Sequence, residues 1–181
     1  MATTAVRSIT DRMIGALRLE ETTYEEIEAD TNATGEAAFI VVGSSLAGAI
    51  GNALLRGGEV NAGFLVAIAQ LVGWALNAWL AYLIGTKLIP GPQTRSTWGE
   101  LARTIGYANT PRFFLIFVAV PGITGLVRVG VAVWVLAATV LALRSALDVG
   151  TVRAIVVGVL STLAQLIIIA VVVNSLPNSL P

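Results

Sequence analysis

Five apolar stretches, near residues 37–55, 62–89, 113–120, 126–143 and 154–176, constrain this chain more than any other feature. Four of them are long enough to cross a bilayer as helices: a hydrocarbon core about 30 Å thick needs roughly 20 apolar residues at about 1.5 Å rise each, a length no buried strand requires. With 56% hydrophobic and 12% charged residues and a mean hydropathy of +0.83, the chain lies outside the soluble globular range. The expectation is an all-α integral membrane bundle of five transmembrane helices, with cytosolic interfacial helices before the first and third crossings. Residues 1–32 form a cytosolic amphipathic and acidic region, 33–176 the membrane domain and 177–181 a short tail.

The chain has no Cys and no His, which removes thiol nucleophiles, disulfides, Cys/His zinc sites, histidine-ligated haem and histidine acid–base chemistry. No catalytic residue, cofactor or metal site is expected, and the chain reads as a non-enzyme with no nucleic-acid partner. Asp30-x-Asn32-x-Thr34-Gly35 imitates the start of a calcium loop, but the twelfth position, where a bidentate Glu is needed, is Val41. The first apolar run lacks a small-residue cleavage site after a short apolar core, so it reads as a retained signal anchor.

The overall neutrality conceals an asymmetry. The first 36 residues hold eight acids and three arginines, a charge of −5, and the remainder carries +5. If the five runs cross alternately from a cytosolic N-terminus, nine basic residues lie inside and only Arg56 and Arg128 outside. That positive-inside bias predicts a multi-pass protein of the cell membrane with its N-terminus cytosolic and its C-terminus on the opposite side. The third crossing is the short one, ending in a tight hairpin at Pro121 to Gly125.

Val6, Ile9, Met13 and Leu17 recur at three- and four-residue steps, with Arg7, Arg12 and Arg18 placed elsewhere on the wheel, the pattern of a helix lying in the headgroup layer. Thr23-Tyr24-Glu25-Glu26 reads as a capping box opening a short acidic helix that ends near Asp30. That helix is either simply solvated or a docking surface for a basic partner or for Arg95 and Arg103. Asn32 is expected to N-cap the first membrane helix. Ile89-Pro90-Gly91-Pro92 stops the second crossing, and Thr97-Trp98-Gly99-Glu100 restarts a helix whose apolar stripe is Trp98, Leu101, Ala102 and Ile105, opposed by Glu100, Arg103 and Thr104.

Glu100, Gly106, Tyr107, Asn109, Pro111 and Arg112 make up a candidate partner-facing elbow between that helix and the third crossing. Gly106 permits unusual backbone angles, Pro111 cannot donate to a helical ladder, and Thr110 before it is biased toward extended geometry. Arg112 can snorkel to the headgroups or pair with freed carbonyls and with Glu100.

Within the crossings, Gly43/Ala47/Gly51 and Ser44/Gly48/Asn52 form two adjacent small-residue stripes that let another backbone approach. Gln70, Trp74 and Asn77 share one face of the second crossing, and Gly158, Thr162 and Gln165 one face of the fifth. Gln70, Asn77 and Gln165 are candidate intramembrane polar contacts, expected to point inward and bond between helices. A polar path through Gln70, Asn77, Asn109, Arg112 and Gln165 is the functional alternative. Leu166 to Val173, aliphatic all round, faces lipid or another membrane subunit.

Two segments taken together resemble the Ypt-interacting-protein (Yip) domain family, in its prokaryotic branch. One runs from Arg12 through Glu20, Thr23 to Asp30 and Ala33 to Ala37; the other is Trp98-Gly99-Glu100-Leu101 with Gly106-Tyr107-Ala108 and Pro111. The resemblance implies five crossings and a cytosolic N-terminal region. Eukaryotic relatives bind prenylated Rab-type GTPases in membrane trafficking, but this chain lacks their Asp-Leu-Tyr-Gly-Pro motif, so GTPase binding is not carried over. The expected function is a non-enzymatic multi-pass membrane protein that organises membrane or recruits partners. Its partners would be the lipid bilayer and either another membrane protein or further copies of itself. The alternatives are an accessory or scaffold subunit of a larger membrane complex and a small-molecule or lipid transporter.

Overall fold

The computed structural model describes residues 7–56 and 62–175, which fold into seven α-helices, one π-turn and one 3-10 helix, with no strand among them. Val6 of the expected N-terminal stripe and the tail at 177–181 lie outside the described residues.

Helix α1 (Ile9–Leu17) opens on a capping box: the Asp11 N–H donates to Ser8 Oγ at 3.2 Å while the Ser8 N–H donates to Asp11 Oδ2 at 3.3 Å. It ends at Leu19, whose φ of 58° turns the chain sharply into α2 (Glu21–Ala29), with the Glu20 N–H donating to Gly15 O. The expected capping box at Thr23 is absent, because α2 starts three residues earlier, at Glu21 with Glu20 in the cap position. Thr23 instead lies inside α2, donating to Glu20 and accepting from Arg7 at 2.8 Å. The expected cap from Asn32 is also absent: its own N–H donates to Asp30 Oδ1.

Among the described residues, four helices are long and apolar enough to cross a membrane: α3 (Ala33–Arg56), α4 (Ala62–Leu83) carried on through the π-turn Ile84–Leu88, α6 (Thr124–Leu147) and α7 (Thr151–Ser175). The π-turn closes with the Ile89 N–H donating to Ile84 O, where Pro90 removes the next donor. The third apolar run differs in kind from the expected transmembrane α-helix: Thr110–Ala119 is a ten-residue 3-10 helix. At about 2.0 Å rise per residue such a helix reaches roughly 20 Å, about a third further than an α-helix of equal length.

The stripes of small residues on α3 explain how this thin element is held. A Cβ at Gly51 would come within 3.0 Å of Ile116 Cα and overlap Leu115 O, and one at Gly43 would meet the Phe113 ring at 3.0 Å. The 3-10 backbone therefore lies directly on α3.

Helix α5 (Trp98–Tyr107) has the expected capping box between Thr97 and Glu100. It departs from the expected two-faced helix, because Arg103 and Thr104, assigned to its polar side, are as buried as Leu101 and Ala102. It is packed between α2 and α3 on one side and α4 and α6 on the other. α1, α2, α5 and the α6–α7 turn share one face of the bundle, called the proximal face below. There Thr94 Oγ1 donates to Leu147 O, and Arg144 pairs with Glu21 at 3.1 Å.

Candidate functional site

The proximal face is organised around one side chain. Arg12 sits within the buried stripe of α1, one turn from Ile9 and Ala16, and not on the polar side of the wheel as expected. It is 1% exposed and ligated on three sides: Nε to Glu26 of α2 at 3.1 Å, Nη2 to Asp30 at 2.7 Å and Nη1 to Glu36 of α3 at 3.1 Å. The Tyr107 hydroxyl, from the end of α5, donates to the same Glu36 carboxylate. One guanidinium thereby joins α1, α2 and α3, and Tyr107 adds α5.

Burial alone pulls the Arg12 guanidinium down, but its hydrogen bonds to Asp30, Glu26, Tyr107 and Glu36 outweigh it, and the net shift is upward. Asp30 is held below the ordinary aspartate value by its hydrogen bond from Arg12 and the N–H of Asn32. Burial, reinforced by the Glu36 carboxylate, pushes the Tyr107 hydroxyl above its usual range. Arg12 therefore stays charged at any physiological pH, and the cage is a permanent electrostatic clamp.

Three further contacts fix this face. Gly15 lets α1 cross α2 so closely that a Cβ would meet Thr23 Cγ2 at 2.8 Å. Trp134 Nε1 of α6 donates to Leu17 O at 2.9 Å. Arg103 donates from Nε to Ile27 O at 3.2 Å and from Nη2 to Glu28 O, so the acidic helix does dock on this arginine, through its C-terminal carbonyls. Glu28, half-buried there, is pushed up to about 7 by burial and by Glu100, Asp148 and Glu25, against the pull of Arg103.

The elbow residues divide between two environments. Gly106 is helical and its role is contact: a Cβ would meet Ala37 Cα at 3.1 Å, and no positive φ is used. Thr110 is not extended; Ala108 and Asn109 stay in the right-handed helical region, and the chain passes from α5 into the 3-10 helix without leaving helical angles. Thr110 Oγ1 donates to Tyr107 O at 2.6 Å and Asn109 Nδ2 to Ile105 O at 2.8 Å, so the linking carbonyls are capped locally. Pro111 occupies the first turn, where its missing N–H costs nothing. Glu100 accepts from the Thr97 N–H, and among the described residues it makes no ion pair with Arg112. Tyr107 faces the Arg12 cage, whereas Asn109 and Arg112 face a cavity.

That cavity, about 840 Å³, lies between α4, α5, the 3-10 helix, α6 and α7. Gln70, Trp74, Asn77, Asn109, Arg112, Gly158, Thr162 and Gln165 all line it, so the polar faces of α4 and α7 meet there. Asn77 Nδ2 donates to Gln165 Oε1 at 2.8 Å, and Gln165 Nε2 donates to Gly73 O at 3.1 Å. Gln70 lines the wall nearby. Trp74 turns its Nε1–H out of the cavity, to Ala102 O. Arg128, from α6, reaches the opposite end and donates to Asn52 Oδ1 at 2.7 Å.

The Arg12 cage was missed in the sequence, although two signals pointed to it. A lone arginine interrupts the Ile9/Met13/Ala16 stripe, and Glu26 and Asp30 are one turn apart on the same face of α2. What the spacing could not supply was Glu36 and Tyr107, which are distant in the chain.

No curated protein and no solved structure matches the chain. A family description does: the Yip1 domain model matches residues 14–173, from the middle of α1 almost to the end of α7. The chain, a helical membrane protein, belongs to the Yip1 domain family.

Proposed function

We propose that this chain is a non-enzymatic membrane protein that recruits partners or organises membrane through its proximal face, held in the cytosol. The observation that carries this reading is the Arg12 cage, which fastens two short N-terminal helices to the membrane bundle as a fixed surface. A nine-residue helix is unstable alone in water, so such an anchor is what lets α1 and α2 present side chains in a set geometry. Asp11, Glu21 and Glu25 are exposed on that surface, which suits a partner with a basic contact patch. The 3-10 helix, with its extended reach and a turn at Pro121 to Ile123 that is shorter than the expected one and leads straight into α6, supports a third crossing and hence five in all, with the termini on opposite sides.

The test is photo-crosslinking in native membranes from positions 21 and 25, in the wild-type chain and in Arg12→Ala. A discrete crosslinked partner that disappears in Arg12→Ala is the expected result. No discrete product from either position, together with unchanged liposome shape after reconstitution, would overturn the reading. Tags on the two termini check the five-crossing topology, since a four-crossing chain would place them on one side.

A second reading, an accessory subunit of a larger complex, rests on α7. From Leu166 to Val173 its large side chains are exposed almost all round, Ile167 at 64% and Val171 at 62%. Native mass measurement after gentle detergent extraction separates the readings, because a stoichiometric assembly favours the subunit.

A further inference from the structure

Arg112 stands out among the arginines that leave solvent. Arg12 is met by three carboxylates and Arg103 by two carbonyls, whereas the half-buried guanidinium of Arg112 makes no hydrogen bond or ion pair among the described residues. It points into the cavity between α4, the 3-10 helix, α6 and α7, whose lining contains no Asp or Glu. Beside the neutral polar groups Gln70, Asn77, Thr162 and Gln165, the wall carries aliphatic side chains that include Leu115, Val131, Val135 and Leu143. A cation without a counter-charge in a part-buried site is costly, and a neutral or zwitterionic occupant relieves that cost less than an anion does. At about 840 Å³ the space falls within the range, roughly 300–1,000 Å³, of sites that bury a drug-sized ligand, room for a lipid headgroup and the upper part of its chains.

We propose that this cavity binds one anionic membrane lipid, its phosphate held by Arg112 and its acyl chains lying against the aliphatic wall of α6 and α7. A guanidinium recognises a phosphate through paired N–H donors, and a free phosphate offers the same oxygens. The aliphatic wall is what selects the lipid, since a soluble anion leaves that surface unused. Arg128 is already engaged by Asn52 at the far end, so Arg112 is the headgroup anchor.

The experiment uses the full chain in neutral detergent and native mass spectrometry. The probes are phosphatidylglycerol, phosphatidylcholine of identical chains, and inorganic phosphate. The wild-type protein should retain phosphatidylglycerol about tenfold better than phosphatidylcholine, and Arg112→Gln should reduce that preference to within about twofold. Val135→Trp, which fills the aliphatic wall, should expel both lipids while thermal unfolding stays near wild type. Arg144→Gln, which removes a charge from the proximal face, should leave the preference intact. Equal retention of the two lipids by the wild type overturns the proposal, as does an undiminished preference in a folded Arg112→Gln protein. Displacement of phosphatidylglycerol by millimolar phosphate assigns the site to a soluble anion and overturns it too. Should Arg112→Gln fail to fold, the wild-type preference and the expulsion of both lipids by Val135→Trp still decide.

Discussion

Replacing Arg12 with alanine should release the two N-terminal helices from the bundle. The guanidinium is 2% exposed by side chain and makes contacts of 2.7 to 3.1 Å with three carboxylates that are themselves 22 to 32% exposed. Removing one partner of a buried ion pair costs about 3–5 kcal/mol, because the groups left behind stay desolvated and unpaired. Here the orphaned carboxylates keep some access to water, which places the loss near the lower end, about 3 kcal/mol. Such a loss raises the undocked population by roughly two orders of magnitude. Hydrogen exchange of the α1 and α2 amides in proteoliposomes reads that population directly. Arg12→Lys, which keeps the charge but not the three-way fork, should fall between alanine and wild type. If exchange across residues 9–29 in Arg12→Ala stays within about twofold of wild type, the cage is not what docks these helices and does not hold the proximal face as a fixed surface.

Other outcomes follow from the same contacts. The Glu28 carboxyl is raised to about 7 from an ordinary value of 4.5, so its contribution to α2–α5 docking is fully present below about pH 4.5 and is lost as pH rises through about 7. Exchange in α2 should quicken over that window, and Glu28→Gln should flatten the dependence. Asp30 runs the other way: its value is depressed below 3.8, so its contribution is present above that pH and lost below it, seen as release of α1 in acid. Gly106→Ala and Gly51→Ala should each destabilise by about 1–3 kcal/mol through overpacking against Ala37 and the 3-10 backbone, measured by thermal unfolding in detergent. Leu19→Gly should stabilise by about 1 kcal/mol in the same assay, because Leu19 holds a left-handed φ of 58° that glycine adopts without strain.

Much of the helical framework was legible because bilayer thickness writes itself into the chain as run length. The long helices α3, α4, α6 and α7 fall on the expected runs, and Pro90 ends the second one where it should. The Thr97–Glu100 box was legible for a local reason: both partners lie within one turn. The third run was harder, since a 3-10 helix has no hydropathy signature that separates it from an α-helix. Its geometry depends on Gly43 and Gly51 offering a bare surface across the bundle, a property of two distant segments together. The Thr23 box failed because a sequence match cannot tell a cap from a helix interior once the preceding turn moves the start to Glu21.

By itself the sequence determined that this is a helical membrane protein with no Cys and no His, and it marked Asn77 and Gln165, which bond to each other, as candidate contacts between helices. Those conclusions rest on composition and on short-range periodicity, both readable along one dimension. Only the tertiary structure decided that Arg12 is a buried hub and Arg112 a cation facing a cavity whose lining holds no carboxylate. A charged side chain reads the same in sequence whether its partners surround it, lie in solvent or are missing. Its energetic role depends on which carboxylates the fold brings within about 3 Å, and for Arg12 those come from α2 and α3, 14 to 24 residues away.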